Sequence, residues 1–176
     1  MLMTPSRSLP AAALLFLLLP PAPAADLPRK APDFTINLLD GKRLTLSQYK
    51  GHPVVLAFIL TSCTHCQETV RILSKLQNEY GPKGLQVLAS AIEQDAQNHV
   101  RLFIRNFAPA FPVGYNTGAE AGNLLPPTGK LPLMPLVGFI DRQGILRAQH
   151  EGEEPFFSNP ERNLRQEIEA LLQAKR

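Results

Sequence analysis

The chain has 176 residues, a net charge of +3 and two cysteines, and 44% of its residues are hydrophobic. This length corresponds to one domain with at most a terminal appendage, and the absence of basic runs interleaved with aromatics argues against nucleic-acid binding. Two cysteines exclude a disulfide framework and a four-cysteine zinc site, so we expect an ordinary apolar core to stabilise the fold.

The first element along the chain is typical of a secretory signal peptide. Arg7 precedes an apolar run at residues 11–19, which is much shorter than the roughly 20 residues of a membrane-spanning helix. Small residues at positions 22–24 then form an A-x-A cleavage site. We therefore expect cleavage after Ala24, a mature domain over residues 25–176 and a soluble product in the periplasm or cell envelope. A retained signal anchor is the alternative.

The mature chain begins with a predicted hairpin and contains three buried strands. The turn-forming pair Asp40-Gly41 lies between two short apolar segments, which predicts an N-terminal β-hairpin. Three apolar runs without alternation are typical of strands covered on both faces: residues 54–60, 85–92 and 136–141. The third run continues through a turn at residues 141–144 into residues 145–150, which predicts an antiparallel pair.

Apolar residues at helical spacing predict helices between and after these strands. The first helix opens at the cysteine pair and ends at Gly81, the second is capped by Asp95 and ends before Pro109, and the last begins at Asn159-Pro160. The order of strands and helices predicts an α/β sandwich with a mixed sheet.

The two cysteines lie together as Cys63-Thr64-His65-Cys66, where the first buried strand gives way to a helix. Backbone N–H groups and the positive end of the helix dipole favour a thiolate there, and the thiolate is the form that attacks disulfides. Cys63 is therefore the predicted nucleophile, and Cys66, one turn on, is the predicted resolving thiol. His65 is a candidate for stabilising the Cys63 thiolate, which would make the pair more oxidising.

The CxxC spacing also has two structural explanations, half of a zinc site and a structural disulfide. No second CxxC or HxxxH occurs in the sequence to complete a zinc site. A disulfide loop this short constrains the unfolded chain little. We therefore predict a redox-active disulfide between Cys63 and Cys66, with no other cofactor and no bound metal.

Further motifs surround the cysteine pair: APDF (31–34), DGK (40–42), LSQYKG (46–51), FPV (111–113), MP (134–135) and FIDRQG (139–144). With the strand–CxxC–helix order, they resemble the TlpA/ResA-like branch of the thioredoxin superfamily over roughly residues 31–172. The resemblance implies a thioredoxin-like fold, in which helices flank a mixed central sheet and the N-terminal hairpin is an extension. It also implies that Pro135 is cis and faces the CxxC, and that the backbone of Met134 pairs with substrate.

Two positions depart from the usual pattern of this family. Ser62 stands where relatives usually have Trp, and Ala57 stands where a polar or acidic residue often assists proton transfer. Glu93 and Asp95, after the second strand, are the candidates to replace that proton relay, and helix capping is the other role open to Asp95. The acidic run that begins at Glu151 is predicted to be a solvated loop.

The resemblance implies an exported thiol–disulfide oxidoreductase that acts on cysteines of other exported proteins. Family members are typically reductants that receive electrons from a membrane partner and often serve cytochrome c maturation. The leading hypothesis is therefore a monomeric reductase with exported protein substrates, a membrane thiol reductant as donor and no nucleic-acid partner. His65 favours the alternative of an oxidising, DsbA-like disulfide donor.

Three hypotheses of other kinds follow from the same residues. A peroxidase of the superfamily needs Thr three positions before the reactive Cys, where this chain has Leu60. A Sco-like copper metallochaperone would use Cys63, Cys66 and a histidine as ligands, but such proteins carry CxxxC. A thioredoxin-like binding module, finally, would have incidental thiols.

Overall fold

The computed structural model describes residues 26–129 and 132–174, and the predicted signal peptide lies outside them. The strands are β1 (Arg29–Lys30), β2 (Thr35–Asn37), β3 (Arg43–Thr45), β4 (Val54–Ile59), β5 (Gln86–Ala91), β6 (Val113–Tyr115), β7 (Leu136–Ile140) and β8 (Ile145–Glu151). The helices are α1 (Thr64–Tyr80), α2 (Ala96–Phe107), α3 (Gly118–Leu124) and α4 (Pro160–Gln173). Within the described residues, no helix is long and apolar enough to cross a membrane.

The strands form one mixed sheet in the order β1-β8-β7-β4-β5-β6-β2-β3. In its centre β4 pairs in parallel with β5, where Ile59 lies opposite Ala91, and antiparallel with β7, where Phe58 lies opposite Leu136. The carboxyl ends of β4 and β5 and the amino end of β7 therefore meet at one edge of the sheet. The loop that carries Cys63 starts at this edge.

The central strand β4 is buried on both faces, as the sequence predicts. Val55, Ala57 and Ile59 pack into one apolar cluster, together with residues from α1, α2 and α4. The alternate residues Val54, Leu56 and Phe58 pack into a second cluster, together with residues from α3 and the β2 segment. Because side chains alternate across a strand, β4 holds the two halves of the core together.

The predicted N-terminal hairpin is present, and it continues the central sheet. β2 and β3 pair antiparallel, and Asn37 at the end of β2 lies opposite Tyr115 of β6. The side chain of Asn116 reinforces this junction: its Oδ1 accepts from Ser90 Oγ (2.8 Å), and its Nδ2 donates to the Thr35 carbonyl (2.9 Å). The hairpin is thus tied to the central strand β5.

The predicted helices are present, but the predicted cap of α2 is wrong. Asp95 occupies the N-cap position of α2, yet its side chain makes no capping hydrogen bond and its φ is 57°. In α4, by contrast, which begins at Asn159-Pro160 as predicted, the Asn159 side chain accepts a hydrogen bond from the backbone N–H of Arg162 (3.4 Å). The left-handed conformation of Asp95 differs from the extended one of a typical N-cap residue, in which the side chain reaches the first turn.

The short edge strand β1 is a feature that the sequence did not predict. Arg29 and Lys30 pair antiparallel with the start of β8, and Arg29 Nη2 donates to the Leu124 carbonyl (2.6 Å). A strand of this length is too short to show a hydrophobic period, so the pattern of the sequence contains no signal for it.

Candidate active site

Cys63 lies at the N-terminal end of α1, in the N-cap position. Its thiol is partly buried, and its Sγ accepts a hydrogen bond from the backbone N–H of Cys66 (3.4 Å). The backbone of Cys63 is itself held by a hydrogen bond from its N–H to the Leu60 carbonyl (3.1 Å). Unpaired N–H groups and the helix dipole favour negative charge at this position, so the geometry suits a reactive thiolate.

Cys66 lies one turn into α1 and is fully buried. It belongs to the apolar cluster between the sheet and the helices α1, α2 and α4. Burial raises the pKa of the Cys66 thiol, and the neighbouring Cys63 and Glu93 raise it further. Both cysteines are free thiols in the structure. The pair is therefore asymmetric, with one partly exposed cysteine and one buried cysteine whose thiol proton is hard to remove.

Glu93 lies beside the cysteine loop, two residues beyond the end of β5. Its Oε1 accepts from the backbone N–H of Thr61 (3.1 Å) and from the hydroxyl of Thr61. His99 Nδ1 lies 3.8 Å from the same oxygen. The other oxygen, Oε2, is buried and has no hydrogen-bond partner in the described part of the chain. Glu93 thus has one anchored carboxylate oxygen and one free to accept a proton.

The side chains of the other two polar candidates, Asp95 and His65, make no hydrogen bond to either cysteine among the described residues. Asp95 is exposed at the start of α2. His65 is exposed on the first turn of α1, and its side chain makes no hydrogen bond to a residue in the described ranges. No side-chain hydrogen bond of His65 among the described residues supports the prediction that it stabilises the Cys63 thiolate, so this stays a prediction.

The Met134–Pro135 peptide bond is cis, as the family resemblance implies. Pro135 is buried and comes directly before Leu136, the β7 residue that pairs with Phe58 near the end of β4. The segment therefore reaches the edge of the sheet from which the cysteine loop starts. Met134 is partly buried and packs against both apolar clusters, and Cys63 packs against one of them.

Two residues near this edge escaped the sequence analysis. Thr61 anchors Glu93, and nothing in a Thr two residues before a CxxC indicates such a partner. Glu151 was expected in a solvated loop, but this prediction is wrong, because Glu151 is 2% exposed at the end of β8. Its carboxylate accepts two backbone N–H groups, whereas Glu153, two residues on, is exposed as expected. Several acids close together in a sequence are typical of a surface loop. Only the three-dimensional structure therefore shows that Glu151 is buried and Glu153 is exposed.

A cavity of about 450 Å³ lies at the other end of the sheet. It is lined by the start of β4 at Val54 and the end of β7 at Ile140, and none of the candidate site residues lines it. Among the residues that the structure describes, no group of three or more His, Cys, Asp or Glu side chains is arranged to hold a metal ion.

The chain is similar to known proteins over most of its length. The protein-family model described as Redoxin matches residues 28–167. Thiol-disulfide oxidoreductase ResA of Bacillus thuringiensis subsp. konkukian (strain 97-27) is 31% identical over 127 residues, 72% of this chain and 70% of that protein. Thioredoxin-like protein YneN of Bacillus subtilis (strain 168) is 31% identical over 130 residues, 70% of this chain and 71% of that protein.

A solved structure gives the same result for the fold. A DsbE-type thiol:disulfide interchange protein from Chlorobium tepidum matches with a TM-score of 0.70 and 28% identity, over 84% of this chain and 98% of that one. The Redoxin match and this structural match both support the thioredoxin-like α/β fold, with its mixed sheet flanked by helices.

Proposed function

Since the chain belongs to the Redoxin family, in the TlpA/ResA-like branch of the thioredoxin superfamily, and is a thiol–disulfide oxidoreductase of that type, we propose that it reduces disulfides of other exported proteins through Cys63 and Cys66. The observation that carries this proposal is the asymmetry of the pair. Cys63 is partly exposed at a helix N-terminus, whereas Cys66, three residues on, is fully buried. Such a pair suits attack by Cys63 and release by Cys66.

In the proposed reaction the Cys63 thiolate attacks one sulfur of a client disulfide, and the other client sulfur leaves as a thiolate. The product is a mixed disulfide between Cys63 and the client. The Cys66 thiol then loses its proton and attacks the Cys63 sulfur, which releases the second client thiolate. Two electrons pass from the pair to the client, and a disulfide between Cys63 and Cys66 remains.

Glu93 is the proposed acceptor for the proton of Cys66. Burial raises the pKa of the Cys66 thiol, so the release step needs a base close to it. The buried, unpartnered Oε2 of Glu93, among the described residues, supports this role, and the bonds from Thr61 to Oε1 hold the carboxylate in position. Asp95, the other candidate, is exposed and lacks comparable support.

The remaining site residues are proposed for client binding and for tuning the pair. The backbone of Met134 and the cis Pro135 are the proposed contact for a client polypeptide, since they reach the edge of the sheet where the cysteine loop starts. His65 is proposed to stabilise the Cys63 thiolate by its charge, without a hydrogen bond. If it does, the pair is more oxidising, which is the argument for a DsbA-like disulfide donor as the second candidate function.

The proposed place of action is the cell envelope. Its support is the signal-peptide pattern at residues 1–24 together with the usual location of disulfide chemistry outside the cytoplasm. Each turnover leaves the pair oxidised, so a reductase needs a thiol donor. A membrane thiol reductant is the proposed donor, and the proposed active form is a monomer.

The first test traps the client with Cys66→Ala. Because the resolving thiol is missing, we expect a long-lived mixed disulfide on Cys63, visible as a shifted band on a non-reducing gel and identified by mass spectrometry. Cys63→Ala is the matched control and should trap nothing. The redox state of the wild-type pair in the cell then gives the direction, mostly dithiol for a reductase and mostly disulfide for an oxidant. Absence of any mixed disulfide, whatever the redox poise, contradicts the proposal.

A further inference from the structure

The carboxylate of Glu151 bridges two points of the segment that precedes Pro135. Its Oε1 accepts from the backbone N–H of Thr128 (2.6 Å), and its Oε2 lies 3.3 Å from the backbone N of Leu133, which donates to it. Glu151 pairs with Leu136 across the β7–β8 ladder, so it lies directly beside the start of β7. One buried side chain therefore links β8 to the backbone on both sides of the segment between Thr128 and Leu133.

The next residue, Gly152, holds the same segment through its backbone. Its N–H donates to the carbonyls of Leu133 and Pro135, both at 2.9 Å. A Cβ at position 152 would lie 2.3 Å from the Met134 carbonyl oxygen, which is closer than such atoms approach in real structures. Glu151 and Gly152 together, hereafter the clasp, thus contact each residue from Leu133 to Pro135.

The clasp is in turn held from the other side. The backbone N–H of Glu151 donates to Glu154 Oε1 (3.0 Å), and Glu154 Oε2 lies 2.9 Å from His150 Nδ1. The ring of His150 stacks on Phe156, with centroids 3.8 Å apart. These contacts fix the position of Glu151 against the body of the domain, so the carboxylate acts as a rigid support.

Burying a carboxylate costs desolvation free energy, and hydrogen bonds to its oxygens must offset that cost. The bonds that Glu151 accepts come from the backbone of the segment before Pro135. Leu133, whose N–H it receives, exposes 45% of its surface, which is unusual for a large apolar residue of this domain. The carboxylate therefore holds the exposed Leu133 and the adjoining backbone of Met134 in a defined position. This position is beside the edge of the sheet from which the cysteine loop starts.

We infer that Glu151 is a positioning residue for client binding: it orients Leu133 and the backbone of Met134 for contact with the polypeptide whose disulfide Cys63 attacks. The inference rests on the proposed function and extends it, because it names the residue that positions the client-binding segment. Substitution of Glu151 is therefore expected to change the binding of a polypeptide client and to leave the reactivity of the cysteine pair unchanged.

The test compares a protein disulfide with a small one. Insulin serves as the polypeptide probe and 5,5′-dithiobis(2-nitrobenzoic acid), a small disulfide, as the probe of Cys63 reactivity. For Glu151→Leu, which removes both acceptors, we expect KM for insulin to rise about tenfold, because the backbone N–H groups of Thr128 and Leu133 lose their acceptor and the segment shifts. We expect the reaction of the small disulfide to stay close to that of the wild type. Glu151→Gln keeps one acceptor oxygen and should restore part of the loss.

Glu153→Gln is the matched control, since it changes an exposed acid two residues away and should leave KM for insulin unchanged. Circular dichroism shows whether each variant folds, and Glu151→Gln keeps the test valid if Glu151→Leu does not fold. Wild-type KM in both Glu151 variants overturns the inference, as does an equal loss with both probes, which indicates a general structural role. A wild-type protein that reduces neither probe contradicts the proposed function itself, and the inference then fails with it.

Discussion

At the scale of single residues, Glu93 and Asp95 are close in sequence but differ in environment. Glu93 has a buried, unpartnered oxygen among the described residues and a second oxygen anchored by Thr61. Asp95 is exposed, with its backbone in the left-handed region. Only Glu93 therefore combines a free acceptor with a fixed position near the Cys66 thiol, whose pKa its charge also raises.

Replacing the two acids in turn separates their roles. We expect Glu93→Gln to slow the release of client from a mixed disulfide on Cys63 by about 100-fold, because the amide cannot accept the proton of Cys66. The initial attack by Cys63 should change little. Rapid-mixing measurements of thiol release from a preformed mixed disulfide follow this step directly.

The pH dependence of client release by Cys66 provides a second test of the role of Glu93. The raised pKa of Cys66 means that its thiol is protonated at neutral pH and becomes a thiolate as pH rises. Without Glu93, release should accelerate in proportion to hydroxide concentration. Asp95→Asn is the matched control and should behave as wild type. Equal slowing by both variants would remove Glu93 from its proposed role.

The comparison of these acids shows what a sequence can predict about a site. The placement of Cys63 and Cys66 at the start of a helix is predictable because it depends on local spacing and on the strand that precedes them, whereas Pro135 was expected in the site only from the family resemblance. The choice between Glu93 and Asp95 depends on which side chain turns towards the cysteine loop, and a loop residue has no periodicity to show this. The burial of Glu151 is harder still to predict from the sequence, since its hydrogen-bond partners lie on a different part of the chain.

At the scale of elements, α1 joins the cysteine pair to the core. Its buried face carries Val70, Leu73 and Leu76 below Cys66, all fully buried. This spacing repeats every three or four residues, which is why the sequence predicts a helix here. The helix therefore holds Cys66 in place through packing against the sheet.

Truncating this face should destabilise the domain. We expect Leu73→Ala to lower the free energy of unfolding by about 2–5 kcal/mol, because the side chain is fully buried and its removal leaves a cavity. Urea unfolding followed by circular dichroism measures this, since the chain has no Trp for fluorescence.

The control for this prediction is Leu102→Ala on α2, where the side chain is 50% exposed. Its effect should stay within about 0.5 kcal/mol. Similar losses for the two variants would mean that the inner face of α1 does not carry the packing described above.

At the scale of the whole molecule, Asn116 links three parts of the fold. Its amide joins Ser90 of β5 to the Thr35 carbonyl of β2, and Nδ2 also lies 3.4 Å from Glu120 of α3, which accepts from it. The hairpin that the family resemblance implied as an extension is consequently hydrogen-bonded to the central sheet. The pattern of hydrophobic residues does not predict this link, because it depends on one buried polar side chain.

Removing the link should loosen the hairpin. We expect Asn116→Ala to lower the free energy of unfolding by about 1–3 kcal/mol, since Ser90 and the Thr35 carbonyl lose a buried partner. Amide hydrogen exchange at Ile36 and Leu44 should accelerate as well. Asn98→Ala, at an exposed position on α2, is the control. Unchanged exchange at the hairpin would contradict the proposed coupling.

The burial of Cys66 has a consequence for the energetics of the whole protein. Cys66 is at once a reactive thiol and a member of the main apolar cluster, so oxidation of the pair and folding of the chain form one thermodynamic cycle. The difference in unfolding free energy between the dithiol and disulfide forms must equal the difference in reduction potential between the folded and unfolded chain, at about 1.4 kcal/mol for 30 mV. Any residue of that cluster that packs better against one form than the other therefore adjusts the reducing power of the protein, however far it lies from the client.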